Sequence, residues 1–327
     1  MDPSTYKTVT TTRSYTYSYY ATPKTESTVP KQTILLLHGF PEYSDMWAEQ
    51  VKAFEASGYN AIAPDLLGYG ATSKPTEAEA YNSEGLSQDV ADILDAENVD
   101  KVIVIGHDWG SYLAGRFINW QPARVIGAIF TSVAYRRAAK LDLAEAHVQM
   151  KAVLGFEPLG YWEFMTSPEA PKLLEDRIES LHSLLFAKDA DIWKTDFCPP
   201  GKLGEWLSND RRVEEAGYIT PETKSTIIRK WKEDGFNGKL GWYRAWTEHT
   251  HWNHEQNLAD DVFKLAIPVL FIGGSHDAPA QAALGDLLTK PLCEDYTGKV
   301  LDAGHWILRE KPEEWLETVE AWLKAKF

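Results

Sequence analysis

Short unbroken apolar runs alternate with segments of helical spacing over the first 130 residues. Thr33-Ile34-Leu35-Leu36-Leu37, Asn60–Pro64, Val102-Ile103-Val104-Ile105 and Val125–Phe130 are too short for helices and apolar nearly throughout. Strands buried on both faces of a parallel sheet have that composition. Between them, Trp47, Val51 and Phe54 fall at i, i+4, i+7, and Gly58 ends that helix. Leu86, Val90, Ile93 and Leu94 mark a second amphipathic helix, and Leu113, Phe117 and Trp120 a third. Upstream, residues 1–12 read as a loose polar arm. Tyr15, Tyr17 and Tyr19 alternate with Ser and Thr, the period of a half-exposed strand, and Ser27–Lys31 reads as a turn.

The alternation stops near Tyr135. From there to Asn257 the pattern is helical, aromatic and broken by Pro and Gly. Strand grammar resumes at Ile267-Pro268-Val269-Leu270-Phe271-Ile272 and Lys299-Val300-Leu301. A last helix carries Trp315, Leu316, Val319, Trp322 and Leu323. Alternating strands and helices predict an α/β fold, a mostly parallel, doubly wound sheet with helices on both faces. Residues 1–134 and 258–327 make one core domain. Residues 135–257 are a helical cap inserted over the carboxyl ends of the strands, where such sheets bind ligands.

Composition narrows the function. At 44% hydrophobic and 25% charged residues the chain is globular, and 13 Trp supply core material. Its net charge of −15, from 33 basic and 48 acidic residues, argues against nucleic acid and anionic membrane surfaces. Cys198 and Cys293 are too few for a disulfide framework and fit reduced thiols. No signal peptide or membrane-length apolar run is visible, so a cytoplasmic protein is expected; a homodimer is left open.

The chemistry centres on Gly106-His107-Asp108-Trp109-Gly110, between an apolar strand and a helix. Hydrolases with a serine nucleophile place it in the same G-x-S-x-G elbow. With Asp108 at the centre, the expected step is attack by a carboxylate on carbon, giving an ester on the enzyme. Two further residues fall after strands: Asp277, following Gly273-Gly274-Ser275-His276, and His305, following Asp302-Ala303-Gly304. Nucleophile, acid, histidine is the chain order of the α/β-hydrolase fold. His305, as neutral imidazole, would activate water, and Asp277 would orient it. Backbone N–H groups of Phe40 and Trp109 would hold the oxyanion.

These residues carry a resemblance. His38-Gly39-Phe40-Pro41, Gly68-Tyr69-Gly70, the Asp108 block and Gly304-His305-Trp306 resemble α/β-hydrolase-fold epoxide hydrolases, from about Thr33 onward. The resemblance implies a cis bond before Pro41 and two lid tyrosines that hold and protonate the epoxide oxygen. Leu240-Gly241-Trp242-Tyr243-Arg244 gives Tyr243 that role, and Gly160-Tyr161-Trp162 offers Tyr161, with Tyr135 and Tyr218 as alternatives. Phenols suit it, because a pKa of about 10 keeps them protonated at neutral pH. Phe40, Trp109, Trp162, Trp242 and Trp306 are expected to line the substrate pocket.

The expected reaction is conversion of an apolar epoxide to a vicinal diol, with water as co-substrate and neither cofactor nor metal. His249, His251 and His254 lack zincin spacing, and Arg136-Arg137 reads as a solvated basic patch where the cap begins. Alternatives are a haloalkane dehalogenase, lacking a second halide donor where Phe40 stands, a biosynthetic enzyme using an internal nucleophile, and a receptor on the same scaffold.

Overall fold

A computed structural model describes residues 3–23 and 32–327. The turn expected over Ser27–Lys31 lies outside the described residues. Eight strands form one sheet: β1 (Lys7–Thr10), β2 (Thr16–Ala21), β3 (Thr33–Leu37), β4 (Asn60–Pro64), β5 (Val102–His107), β6 (Val125–Thr131), β7 (Leu265–Gly274) and β8 (Cys293–Leu301). Their spatial order is β1-β2-β4-β3-β5-β6-β7-β8. The first two join antiparallel; every pairing from β4 to β8 is parallel.

The unbroken apolar runs behave as their composition demands. Ile34, Leu36, Ile103 and Ile105 join one core with Trp47, Phe54 and Trp315; Leu35, Leu37, Val102 and Val104 join the other. Side chains alternate across a strand, so a strand covered on both faces must be apolar at every position. The second core runs on into the block between β6 and β7, through Tyr161, Trp162, Leu181 and Trp206. That block holds the helices from Leu143–Leu154 to Thr250–Glu255 and adds no strand to the sheet among the described residues. Indole N–H groups tie it down at defined points: Trp231 donates to the Pro41 carbonyl at 2.9 Å and Trp242 to that of Leu67 at 2.9 Å.

Three local expectations are corrected. Part of the arm over residues 1–12 is ordered, because Lys7–Thr10 pairs with Thr16–Tyr19 as an edge strand. The tyrosine strand is buried on both sides rather than half-exposed: Ser18 and Tyr20 are as enclosed as Tyr17 and Tyr19. Neighbouring segments cover it, which alternation cannot reveal. β8 begins at Cys293, well before Lys299. It is a largely exposed edge strand, so its first six residues carry no apolar signal.

Strand register places the site. Leu37 lies beside Gly106, His107 beside Thr131, Thr131 beside Ile272, and Gly274 beside Leu301. The segments that follow β3, β5, β6, β7 and β8 therefore leave the sheet at one edge.

Candidate active site

Asp108 sits at the turn between β5 and the helix Trp109–Trp120, with φ 54° and ψ −122°. A positive φ is costly for a residue with a Cβ and persists only where its surroundings enforce it. The flanking glycines show the enforcement. A Cβ on Gly106 would stand 2.4 Å from the Gly110 carbonyl oxygen, and one on Gly110 would stand 2.0 Å from that of Leu37. The helix start is thus pressed against β5 and β3, and the Asp108 side chain is turned off the sheet.

Its carboxylate has two distinct oxygens. Oδ1 accepts the Phe40 N–H at 2.8 Å. Oδ2 lies 3.7 Å from His305 Nε2. Burial raises the Asp108 pKa, while His305 and the N–H groups of Trp109 and Phe40 favour the ionised form. The Phe40–Pro41 peptide is cis.

His305 Nδ1 donates to Asp277 Oδ2 at 2.9 Å, and Asp277 Oδ1 accepts the Ala280 N–H at 3.1 Å. Asp277 is wholly buried, so its charge acts through little solvent. Burial alone would depress the His305 pKa. The Asp277 charge and hydrogen bond, followed by Asp108, more than offset it and raise the value to about 9. Beside an ionised Asp108 the ring therefore favours the imidazolium. His107 is neutral, pushed down to about 3 chiefly by burial, and its Nε2 donates to the His305 carbonyl at 2.9 Å.

One polar member of this cluster carried no sequence signal. Ser132 follows β6 with φ 70°. Its hydroxyl donates to Asp277 Oδ2 at 2.6 Å and lies 3.0 Å from His305 Nδ1. A single Ser after an apolar strand is too common to mark a site; only the register beside β7 brings it to the acid.

The aromatic residues divide. Tyr243 packs edge-on against Trp109, Phe40 and Trp162, with ring centroids 5.0, 5.3 and 5.5 Å away. Tyr161 stands 6.0 Å from Tyr243 and stacks on Phe197. A cavity of about 150 Å³, room for a small molecule, is walled by Asp108, Trp109, Tyr161, Trp162 and His305 among others. Phe40 and Tyr243 lie just beyond that wall. Burial raises both phenol pKa values well above the usual value, so both keep their protons; the Asp108 charge adds to this. The indole N–H groups of Trp109 and Trp162 complete no well-formed hydrogen bond among the described residues. Each indole lies by a phenol, Trp109 by Tyr243 and Trp162 by Tyr161, where it favours the phenolate.

Other expected lining residues are placed elsewhere. Trp242 is fully buried behind Trp109, its N–H spent on Leu67. Trp306 packs against His107 and His305 on the side away from that cavity and donates to the Leu185 carbonyl at 2.6 Å. The hydroxyl of Tyr135 is engaged with Asn119 and the Phe263 carbonyl, and Tyr218 lines a separate small cavity behind His305. Of the three histidines near 250, His254 bridges Glu79 and Glu84, and His251 is buried against Tyr112 and Trp246. Among the described residues no cluster suited to a metal ion occurs, and no helix is long and apolar enough to cross a membrane.

Comparison with known proteins gives consistent matches. The alpha/beta hydrolase fold family matches residues 32–312. Epoxide hydrolase A of Mycobacterium tuberculosis is 26% identical over 299 residues, covering 86% of this chain and 87% of that one. Epoxide hydrolase 3 of Siraitia grosvenorii is 29% identical over 301 residues, covering 86% and 88%. The crystal structure of epoxide hydrolase A from Mycobacterium thermoresistibile superposes with a TM-score of 0.80 at 25% identity, 98% of each chain being covered. Potato epoxide hydrolase I shares the fold at a TM-score of 0.75 and 24% identity, over 98% of this chain and 99% of that one.

Proposed function

The chain belongs to the α/β-hydrolase fold family and is a hydrolase, and from that premise we propose that it converts an epoxide to a vicinal diol through an ester on Asp108. The observation that carries this is the division of labour within one carboxylate. Oδ1 is held by the Phe40 N–H while Oδ2 remains free toward His305 and the cavity. Residues 135–257 are read as a lid that brings Tyr161 and Tyr243 over this carboxylate.

In the first step Asp108 Oδ2 attacks an epoxide carbon and the carbon–oxygen bond breaks. The ring oxygen takes its proton from one lid phenol, Tyr243 or Tyr161, leaving a hydroxyl on the substrate and a tyrosinate on the protein. The His305 imidazolium then returns a proton to the tyrosinate and becomes neutral, and in the second step water attacks Cγ of Asp108 and gives a proton to that neutral ring. Negative charge gathers on Oδ1, where the Phe40 and Trp109 N–H groups stand ready. The Cγ–Oδ2 bond then breaks, the hydroxyl that came from water passes its proton to Oδ2, and the diol leaves with Oδ2, restoring the Asp108 carboxylate and the His305 imidazolium. Ester formation also prepares the base. It removes the Asp108 charge, one of the causes that raise His305, so the ring releases its proton more readily in the intermediate than at rest.

A haloalkane dehalogenase is the second reading, favoured by the free indole N–H groups of Trp109 and Trp162 on the cavity wall. The second donor that the sequence lacked at Phe40 would then be Trp162. The phenols have no task in that chemistry. The test is a single turnover of styrene oxide in heavy-oxygen water, followed by mass analysis of the Asp108 peptide. Label in the aspartate and none in the diol is expected. Label in the diol alone overturns the ester, and halide release from haloalkanes without any diol from epoxides transfers the assignment to the dehalogenases. His305→Gln should accumulate the ester as a mass adduct.

A further inference from the structure

The loop that carries His305 is held by its backbone, and one side chain outside the triad holds it on both flanks. Only Asp302, Ala303 and Gly304 separate the end of β8 from the histidine. Beyond it the chain turns at once into the short helix Ile307–Glu310, with Trp306 at the N-cap. The Glu310 carboxylate folds back over this turn. Its Oε2 accepts the Gly304 N–H at 2.7 Å, and its Oε1 accepts the Trp306 N–H at 3.1 Å. The residues before and after His305 are thus fastened to one group. Glycine permits the close approach, since a Cβ on Gly304 would stand 3.0 Å from Glu310 Oε1. From elsewhere in the sheet, His107 Nε2 donates to the His305 carbonyl at 2.9 Å.

A Glu that reaches back to an N-cap N–H is ordinarily a helix cap. Three features point past that use. The helix has four residues, so there is little helix to stabilise. The Gly304 N–H lies outside it, on the far side of the histidine. And Glu310 makes no ion pair among the described residues, although Arg309 is its neighbour: that guanidinium is spent on Glu42, with two bonds of 3.0 Å. The Glu310 charge is left to act on His305, where it favours the imidazolium after Asp277 and Asp108. His107, neutral, faces the ring from β5. Lys188, Tyr218 and His276 share the small cavity on which Glu310 opens behind the histidine. A carboxylate suits two N–H groups because it has two acceptor oxygens and no donor; an amide would turn its NH2 toward one of them.

We propose that Glu310 is a positioning residue for His305: its carboxylate fastens the backbone on both flanks of the histidine and so keeps the ring between Asp277 and Asp108. This rests on the reading of His305 as the base of ester hydrolysis. The tolerance is narrow. Nδ1 lies 2.9 Å from Asp277 Oδ2 and Nε2 lies 3.7 Å from Asp108 Oδ2, and a misplacement of about 1 Å can cost about 10²-fold in rate.

The test is Glu310→Gln, which keeps length and shape, loses the charge and sets an NH2 against one of the two N–H groups. In single turnover of styrene oxide, ester decay should slow by about tenfold, while ester formation, which does not use His305 as base, stays unchanged. Glu310→Asp keeps the charge with a shorter reach, and its decay should lie between the two. Unaltered decay in Glu310→Gln overturns the role, and so does equal slowing of both steps, which marks a general loss of structure. An NMR titration of the His305 ring reads the placement without turnover. Its midpoint should fall below the wild-type value of about 9, because the Glu310 charge is gone and the Asp277 hydrogen bond is loosened. An unmoved midpoint removes the role whatever the turnover. A lowered midpoint, in a protein whose wild type forms no ester, sustains the positioning and counts against epoxide hydrolysis.

Discussion

Replacing Asp277 by Asn removes a charge and keeps the shape, so its effect on His305 can be worked from the groups around the ring. Burial, the largest influence, lowers the His305 pKa; Asp277 supplies the two largest opposing influences, and Asp108 and Glu310 follow. Without the Asp277 charge, burial prevails and the pKa should fall from about 9 to below the ordinary 6.5. That swing is about 3 kcal/mol of lost preference for the imidazolium. The ring should nevertheless stay oriented, because the Ser132 hydroxyl is 3.0 Å from Nδ1 and can accept its proton. Ester hydrolysis should therefore slow by roughly 10²–10³-fold, less than the ~10⁴-fold typical of a triad whose acid alone fixes the tautomer. Adding Ser132→Ala should bring the full loss. The assay is an NMR titration of the His305 ring in each variant, beside single-turnover decay of the ester. An imidazole still titrating near 9 in Asp277→Asn would refute the electrostatic account, and a double variant no slower than the single one would refute the role of Ser132.

Three further outcomes are expected. Tyr243→Phe should slow ring opening on the order of 10²-fold with little change in melting temperature, since its ring contacts with Trp109, Phe40 and Trp162 survive; rapid-mixing measurement of ester formation checks this. Gly110→Ala should destabilise the fold by more than about 2 kcal/mol, read by denaturant unfolding, because its Cβ would stand 2.0 Å from the Leu37 carbonyl oxygen. The raised His305 pKa is also a stability statement: the folded state holds this proton more tightly than the unfolded one, so its contribution is full below pH 6.5 and lost as pH rises through about 9. The stability difference between wild type and His305→Gln should shrink across that window, by up to about 3 kcal/mol, and a difference flat with pH would contradict it.

Some of this was legible locally. A strand covered on both faces must be apolar at each position, so Thr33–Leu37 and Val102–His107 declare themselves. An elbow pressed onto neighbouring strands must have glycine at 106 and 110, so the motif itself marks Asp108. Asp277 and His305 could be read because each follows a strand in the known chain order. The sequence alone thus determined the central strands of the sheet, the elbow that holds Asp108 and the chain order of Asp108, Asp277 and His305.

What it left open depends on which surfaces meet. Edge strand β8 escaped because solvent on its exposed side removes the hydrophobic demand. Trp162 reaches the cavity and Trp242 does not, although both lie between β6 and β7 beside a candidate tyrosine, since Trp242 spends its N–H on Leu67. Ser132 and Arg136 sit a few residues apart in ordinary surroundings; β7 brings Asp277 beside Ser132, and Arg136 ends on the cavity wall against Trp246 rather than in a solvated patch. Local periodicity records how each element meets its own environment. Convergence of side chains hundreds of residues apart is set by register and packing, and only the folded chain contains that information.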